Sequence, residues 1–537
     1  MEPEKEDGNI EYKMSLVDKT TEQLENIASQ QRYRVDEGSG EAIYVLGVSD
    51  SGNLVGLEDK DFIKSLENLS LAAKNNKYSL TVLSKKELPE NKNKKVYEIL
   101  VRENNEQKYI DLNVAVAGNV DAGKSTTISV LTNGDNDNGR GSARLSVFNF
   151  AHEIASGRTS SVAQHILGFD SKGCITNYTN GLYKKGWPDI VKDSAKIISF
   201  YDLCGHEKYL KTTITGLASS FPDLCLILIG ANMGITKITQ EHIFLCVTLK
   251  IPFAIVITKI DICKNRKNVL KETIRSVNKL LKMPGLRKVK LKINNMDDIM
   301  LCSKHIHSQS IVPVFHVSNV SGKGIPELKK FLNLVSKAPV NKGEISDEVE
   351  YHIDTTFSVV GVGTVVGGQL VSGSIKVGDK LMLGPNMGTY EQVLVRSIHC
   401  KRVPLQSVSY GCYVCLGLRK IDRSSIRKGN VMVSLNGDKI SRSEFKADVR
   451  VLKAHSTTIK VGYEPVLHYC SVRQTATITA ITDKVNGRDS KDTKNDILRT
   501  GDKATVTFKF KYQPEYIKKG YRILMAQGKV KVIGVVV

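Results

Sequence analysis

The rhythm of apolar and polar positions changes three times along the chain. Residues 1–40 are mostly polar, and 14–31 space their apolar positions only weakly, so this stretch predicts a mobile leader with some helical content. Residues 41–56 (EAIYVLGVSDSGNLVG) predict two short strands around a Ser-Gly-Asn turn. A helix-like segment at 59–74, a strand at 79–84, a charged turn (ENKNKK) and a strand at 96–102 complete a small α+β module over 41–110. Nothing in that module points to chemistry.

From residue 111 the pattern becomes near-continuous apolar runs, at 113–117, 197–202, 224–230, 253–258 and 314–317, separated by longer helical segments. Strands apolar on both faces and joined by helices predict a doubly wound, mainly parallel sheet over 111–340. Ligands of such sheets bind beyond the carboxyl ends of the strands. After a polar, acidic linker at 341–350 the helical period disappears. Residues 357–383 (FSVVGVGTVVGGQLVSGSIKVGDKLML) alternate apolar and small residues with glycines at turns. This predicts a β-barrel over 350–437, since closure removes exposed edges. A second barrel over 438–537 follows from strands at 475–481 and 504–510, with a polar insert at 486–495.

Composition adds bounds. At ~100 to 200 residues per domain, 537 residues exceed one core. With 41% hydrophobic and 25% charged residues the chain is a folded one rather than a disordered one. The net charge of +21 is unevenly placed. Residues 1–110 carry 16 Lys/Arg against 21 Asp/Glu, 111–340 carry 30 against 17, 341–437 carry 11 against 8, and 438–537 carry 20 against 10. An acidic leader on a basic body suits a polyanionic partner, and it equally suits a solvated lysine-rich surface. Lys401-Arg402, Arg419-Lys420, Arg423, Arg427-Lys428 and 509–519 are the basic clusters with aromatic neighbours that are candidates for RNA contact. Of ten cysteines only Cys412 and Cys415 form a CxxC, within an alternating run that marks them as strand residues. The acidic start shows no secretory signal, and no apolar run approaches the ~18 residues of a membrane span. No membrane role and a reducing, cytoplasmic location are therefore expected.

The chemistry sits at strand ends. Gly118-Asn119-Val120-Asp121-Ala122-Gly123-Lys124-Ser125 matches GxxxxGK[ST] between an apolar strand and a helix that continues from Thr126. Such a loop turns backbone N–H groups toward phosphate oxygens at the positive end of a helix. Lys124 is expected to reach the β- and γ-phosphates of a nucleotide, and Ser125 to ligate Mg²⁺. DLCGH, from Asp202 to His206, ends the next strand, placing a carboxylate where it serves Mg²⁺ and the Gly205 N–H where it meets the γ-phosphate. Thr258-Lys259-Ile260-Asp261 ends another strand, and Ser318-Asn319-Val320 ends the last. Asp261 suits the N1–H and 2-amino group of guanine, a donor pair that adenine lacks. The stem of Lys259 is expected to lie over the base.

With GNVDAGKS, DLCGH, TKID and SNV in this order and two barrels behind, the chain resembles the translational GTPases, and within them the GTP-binding protein 1 and 2 subfamily. That resemblance is carried by DNGRGSAR (137–144), HEIASGRTSSV (152–162), ILGFDSKG (166–173), GHEKYLKTT (205–213), GVGTVV (361–366), KIDRSSIRKG (420–429) and SVRQTATI (471–478). It implies a GTP-hydrolysing switch with GTP/GDP and Mg²⁺, in which Thr159 closes on Mg²⁺ and the γ-phosphate together with Ser125 and Asp202. His206 would orient the attacking water, with Lys124 stabilising charge. The implied partners are the ribosome and aminoacyl-tRNA, in elongation or in rescue of stalled translation, with the protein acting as a monomer. A GTP-regulated scaffold that recruits RNA-decay proteins for mRNA turnover, its acidic N-terminal module binding protein, is the alternative. Three positions depart from the family pattern: Thr258 replaces the usual Asn, Asn319 replaces the usual Ala, and Arg158 stands where many relatives have an apolar gate residue beside Val120. Asp121 is the residue that in some relatives helps bind a monovalent cation.

Overall fold

The computed structural model describes all of the chain except residues 1, 2, 5–7, 89, 90, 104–108, 149–152, 155–158, 160, 180–182, 264, 265, 284, 285, 338–345, 453–457, 487–495 and 528. Half of the linker expected at 341–350, nearly all of the insert expected at 486–495, and Arg158 fall outside the described residues.

The N-terminal part holds a four-stranded sheet in the order Ile10–Lys13, Glu41–Leu46, Lys95–Glu103, Tyr78–Glu87. Helices Thr21–Glu37 and Asp59–Asn75 join its core through Ile27, Val35, Leu69 and Ala72. The expectation of a mobile leader over 1–40 is therefore corrected: Ile10–Lys13 pairs in parallel with Glu41–Leu46, and Thr21–Glu37 is a packed helix opened by a capping box between Thr20 and Gln23. The buried face of that helix includes Gln31, which donates to the Leu69 carbonyl at 3.1 Å, and Arg34, paired with Glu4 at 2.5 Å and Glu11 at 2.6 Å. Polar residues on the inward face erase the apolar period that would have announced it.

The central sheet has seven strands in the order Val289–Lys292, Ile311–His316, Phe253–Thr258, Leu224–Gly230, Ile110–Gly118, Lys196–Asp202, Ala163–Phe169. All neighbours are parallel except the last pair. Alternate residues of Ile110–Gly118 serve two cores, with Leu112, Val114 and Val116 on one face and Ala115 and Ala117 on the other. Burial on both faces is why the strand reads as continuous apolar sequence. The two edge strands were not legible: Val289–Lys292 carries two lysines that discourage edge pairing, and Ala163–Phe169 has Gln164 and His165 directly after its first residue.

Two closed barrels follow. The first runs Lys380–Asn386, Val431–Ser434, Glu350–Val359, Gly363–Ser372, Tyr413–Arg419 and Thr389–Cys400, which pairs back on Lys380–Asn386. The second runs Glu444–Val451, Lys503–Phe510, Val472–Val485, Val466–Tyr469, Arg522–Gln527 and Lys529–Val536, which pairs back on Glu444–Val451. Cys415 lies in a strand and Cys412 directly before it, and all ten cysteines are free.

Buried polar networks join these parts. Glu41 pairs with Arg102 and with Lys196, each at 2.8 Å, and Lys196 also donates to the carbonyls of Asn333 and Val335, so the N-terminal sheet is tied to the central one. Glu350, expected in the linker, instead begins a strand. Its carboxylate accepts from the hydroxyls of Tyr516 (2.9 Å) and Tyr521 and pairs with Lys518 at 2.8 Å, which locks one barrel to the other.

Several of the cations expected to contact RNA have partners within the protein. Lys401 is buried against Asp111, and Arg402 stacks 4.7 Å over the ring of Trp187. Arg427 pairs with Glu515 at 2.6 Å, Lys511 with Glu464 at 2.6 Å, and Lys518 with Glu350. A basic run in sequence does not distinguish a free cation from one whose carboxylate lies far along the chain. Arg402, Arg419, Lys420, Arg423, Lys428, Lys509, Lys511 and Lys519 are exposed. Among the described residues no helix is long and apolar enough to cross a membrane.

Candidate GTP site

The loop after Ile110–Gly118 runs into helix Lys124–Asn133, and with three other strand ends it bounds a cavity of about 490 Å³. Val120, Asp121, Gly123, Lys124, Ser125 and Thr126 form one wall. Thr159, Gly205 and His206 face it at one end, and Lys259, Asp261, Asn319 and Val320 at the other. Gly118, Asn119, Ala122, Asp202, Thr258 and Ser318 do not line the cavity; they hold the groups that do.

Lys124 is buried, and its ammonium donates to the Asn119 carbonyl at 3.0 Å. Burial pushes its pKa below the ordinary lysine value, and the nearby Asp202 charge partly restores it. Asp202 is buried too, and burial raises its pKa, countered by Lys124 and by bonds from Ser125 and Thr159. Ser125 Oγ donates to Asp202 Oδ2 at 2.5 Å and lies 3.0 Å from Thr159 Oγ1, which is 3.4 Å from the same carboxylate oxygen. The other oxygen, Oδ1, has no hydrogen-bond partner although it is buried. A buried lysine beside a half-satisfied buried carboxylate costs several kcal/mol unless ligands complete both. Two hydroxyls and one carboxylate form an all-oxygen set, which suits a hard cation that takes its remaining ligands from phosphate and water. Among the described residues no cluster of three or more His, Cys, Asp or Glu offers a metal site made by protein alone.

Gly205 comes against the phosphate loop. A Cβ there would stand 2.3 Å from Lys124 Nζ and 2.8 Å from the Gly118 carbonyl oxygen, so no side chain fits without moving the lysine. His206 follows, partly exposed, with Nδ1 accepting from the Lys208 backbone N–H at 3.1 Å. In the neutral ring this leaves the proton on Nε2, which makes that nitrogen a donor.

At the base end Ser318 Oγ donates to Asp261 Oδ1 at 2.6 Å. Thr258, which replaces the usual Asn, is fully buried and donates to the Ala122 carbonyl at 2.8 Å, so it ties the base strand to the phosphate loop. Asn319 donates through Nδ2 to Thr127 Oγ1 at 2.9 Å, which adds a second tie to the helix behind the loop. Both departures from the family pattern thus brace the site from behind.

The sequence reading gave no role to Asp137, Gly139, Arg140, Gly141 and Arg144, which line the same cavity. The available signal was an Asp followed by glycines two and four positions on, with an arginine between them.

Comparisons with known proteins agree with this geometry. The elongation factor Tu GTP binding domain matches residues 111–338, elongation factor Tu domain 2 matches 363–433, and the elongation factor Tu C-terminal domain matches 440–534. GTP-binding protein 1 of Xenopus laevis is 41% identical over 99% of this chain and 78% of its own. GTP-binding protein 2 of Homo sapiens is 41% identical over 99% of this chain and 87% of its own. In fold, the chain is similar to the apo crystal structure of translation elongation factor SelB from Methanococcus maripaludis, with a TM-score of 0.54 at 18% identity, covering 80% of this chain and 79% of the other. Identity at this level across nearly the whole chain, with all three elongation factor Tu domains in order, shows that the protein is a GTPase belonging to the translational GTPases, in the GTP-binding protein 1 and 2 subfamily.

Proposed function

We propose that this GTPase works on the ribosome together with aminoacyl-tRNA, in elongation or in rescue of stalled translation, as a cytoplasmic monomer. The observation that carries this reading is the position of helix Leu210–Ser219, which directly follows the Gly205-His206 loop. Thr215 of that helix meets His468 of the second barrel at 3.3 Å, Ser219 bonds Asp354 of the first, and Phe221 just beyond lies against His352. A change at the γ-phosphate end of the cavity thus reaches both barrels through one rigid element.

In this reading Lys124 neutralises the β- and γ-phosphates, the Gly205 N–H donates to a γ-phosphate oxygen, and Asp261 selects guanine through its donor pair. Ser125, Thr159 and Asp202 would hold Mg²⁺, which would supply positive charge beside the phosphates. His206, with its Nδ1 occupied, presents Nε2–H; it orients the attacking water or a phosphate oxygen by donating rather than by removing a proton. Asp121 lines the cavity from within the phosphate loop, where a monovalent cation is a further ligand to test by replacing K⁺ in hydrolysis assays.

The decisive measurement is GTP hydrolysis with and without ribosomes at two salt concentrations. Stimulation that falls steeply with salt is expected, because the GTPase domain and barrels are basic and phosphate contacts release counterions. Absence of stimulation, together with absence of GTP-dependent aminoacyl-tRNA binding, would overturn the reading. No observation in the structure specifically favours the RNA-decay scaffold.

A further inference from the structure

The 137–144 loop in the GTP cavity is tightly constructed. Asp137 is buried, and its carboxylate accepts from three backbone N–H groups of the loop: Gly139 at 2.9 Å and Gly141 at 3.1 Å on Oδ2, and Ala143 at 3.0 Å on Oδ1. Three charge-assisted bonds to one side chain fix the backbone path. Asp137 also donates its own N–H to the Asn319 carbonyl at 2.8 Å, which roots the loop at the base end. Gly141 adopts φ +84°, and a Cβ there would lie 2.8 Å from Nε and 3.1 Å from Cζ of Arg144. The Arg144 side chain therefore lies close over the Gly141 backbone.

Arg140 and Arg144 line the cavity along with Lys124 and Lys259, and neither arginine has an ion pair with a described residue. Of the carboxylates facing the same space, Asp261 is engaged by Ser318 and Asp137 by its own loop, while Asp121, in the phosphate loop, forms no ion pair with either arginine. Two guanidinium groups without ion pairs at the wall of a phosphate-binding cavity call for anionic oxygen.

We propose that Arg140 and Arg144 form a cationic clamp on the α- and β-phosphates of the bound guanine nucleotide. The loop is anchored at Asn319, so the phosphates nearest the ribose come within its reach, while Thr159, Gly205 and His206 bound the γ-phosphate end. GTP and GDP share the α- and β-phosphates, so the clamp governs how long either nucleotide stays bound. The inference rests on the GTPase activity and is independent of the ribosomal reading.

The test uses the full chain with fluorescent GDP and GTP analogues and the double variant Arg140→Ala/Arg144→Ala. Affinity is expected to fall roughly 10- to 100-fold for both nucleotides, the range of one or two charge-assisted contacts, with faster release of each. In steady-state turnover the loss falls on KM rather than on kcat. The affinity of the variant also loses part of its salt dependence, which a merely distorted loop would not change. Arg144→Lys restores part of the affinity, and Asp137→Ala, which leaves both arginines present but untethers the loop, shifts binding in the same direction as the double variant. If the double variant fails to fold, Arg140→Ala alone, at an exposed position, carries the measurement. Unchanged affinity and release for both nucleotides, an effect confined to GTP, or a loss in kcat with binding intact would each overturn the proposal.

Discussion

Gly205 and His206 are neighbours in the chain with opposite demands on substitution. At Gly205 the limit is volume, because Lys124 Nζ occupies the space a Cβ would need. Gly205→Ala is expected to weaken GTP binding by at least tenfold, read by equilibrium titration, since the displaced lysine carries the phosphate charge. At His206 the limit is chemistry: the ring is partly exposed and accepts a hydrogen bond from the Lys208 backbone N–H. His206→Ala should keep GTP affinity and lose most of the stimulated hydrolysis; equal turnover in wild type and variant would remove it from the reaction. The sequence marked Gly205 by its place past the carboxyl end of an apolar strand, and His206 through the resemblance to the translational GTPases. Asp137, Arg140 and Arg144 escaped because they lie in the irregular segment after the first helix, where no period marks a residue as facing inward. Their placement depends on hydrogen bonds between Asp137 and its own loop, which no spacing rule encodes.

Among the elements, those with one dominant period were legible and those stabilised by buried charge were not. The five apolar strands of the central sheet announced themselves, whereas helix Thr21–Glu37 hid its inner face behind Arg34, and Lys401 and Arg427 looked like surface cations. Strand Glu350–Val359 is the sharpest case, because its first residue is a carboxylate in a stretch read as linker. Burial works to raise the pKa of Glu350, and bonds from His352, Lys518 and Tyr521 outweigh it, holding the carboxyl well below the usual range. A depressed folded-state pKa contributes stability above the unfolded value of 4.5, and that stability is lost as pH falls toward the folded value. Glu350→Gln is therefore expected to lower stability by about 2 kcal/mol at neutral pH, with the difference from wild type shrinking as pH drops below that value. Urea melts at pH 7 and pH 4 measure both, and a difference independent of pH would mean that the contacts of Glu350 are not ionic in origin.

On the scale of the whole molecule, the sequence divided the charge correctly into an acidic N-terminal part and a basic remainder, but it showed nothing of how the parts are joined. The joints are long-range by nature: Glu41 to Lys196, Asp111 to Lys401, Thr215 to His468 and Glu350 to Tyr516 pair residues that no local pattern connects. Because helix Leu210–Ser219 touches both barrels, the GTPase domain and the barrels are expected to unfold together, and GDP should raise the melting temperature of all three by one amount, observable as a single calorimetric transition. Separate transitions would show that the helix contacts are weak. The stacking of Arg402 on Trp187 gives this coupling an optical readout. Trp187 is the only tryptophan in the chain and belongs to the GTPase domain, while Arg402 belongs to the first barrel. Any hinge opening between them uncovers one indole ring and shifts its emission to longer wavelength, so the unlabelled protein carries its own fluorescent gauge of interdomain separation.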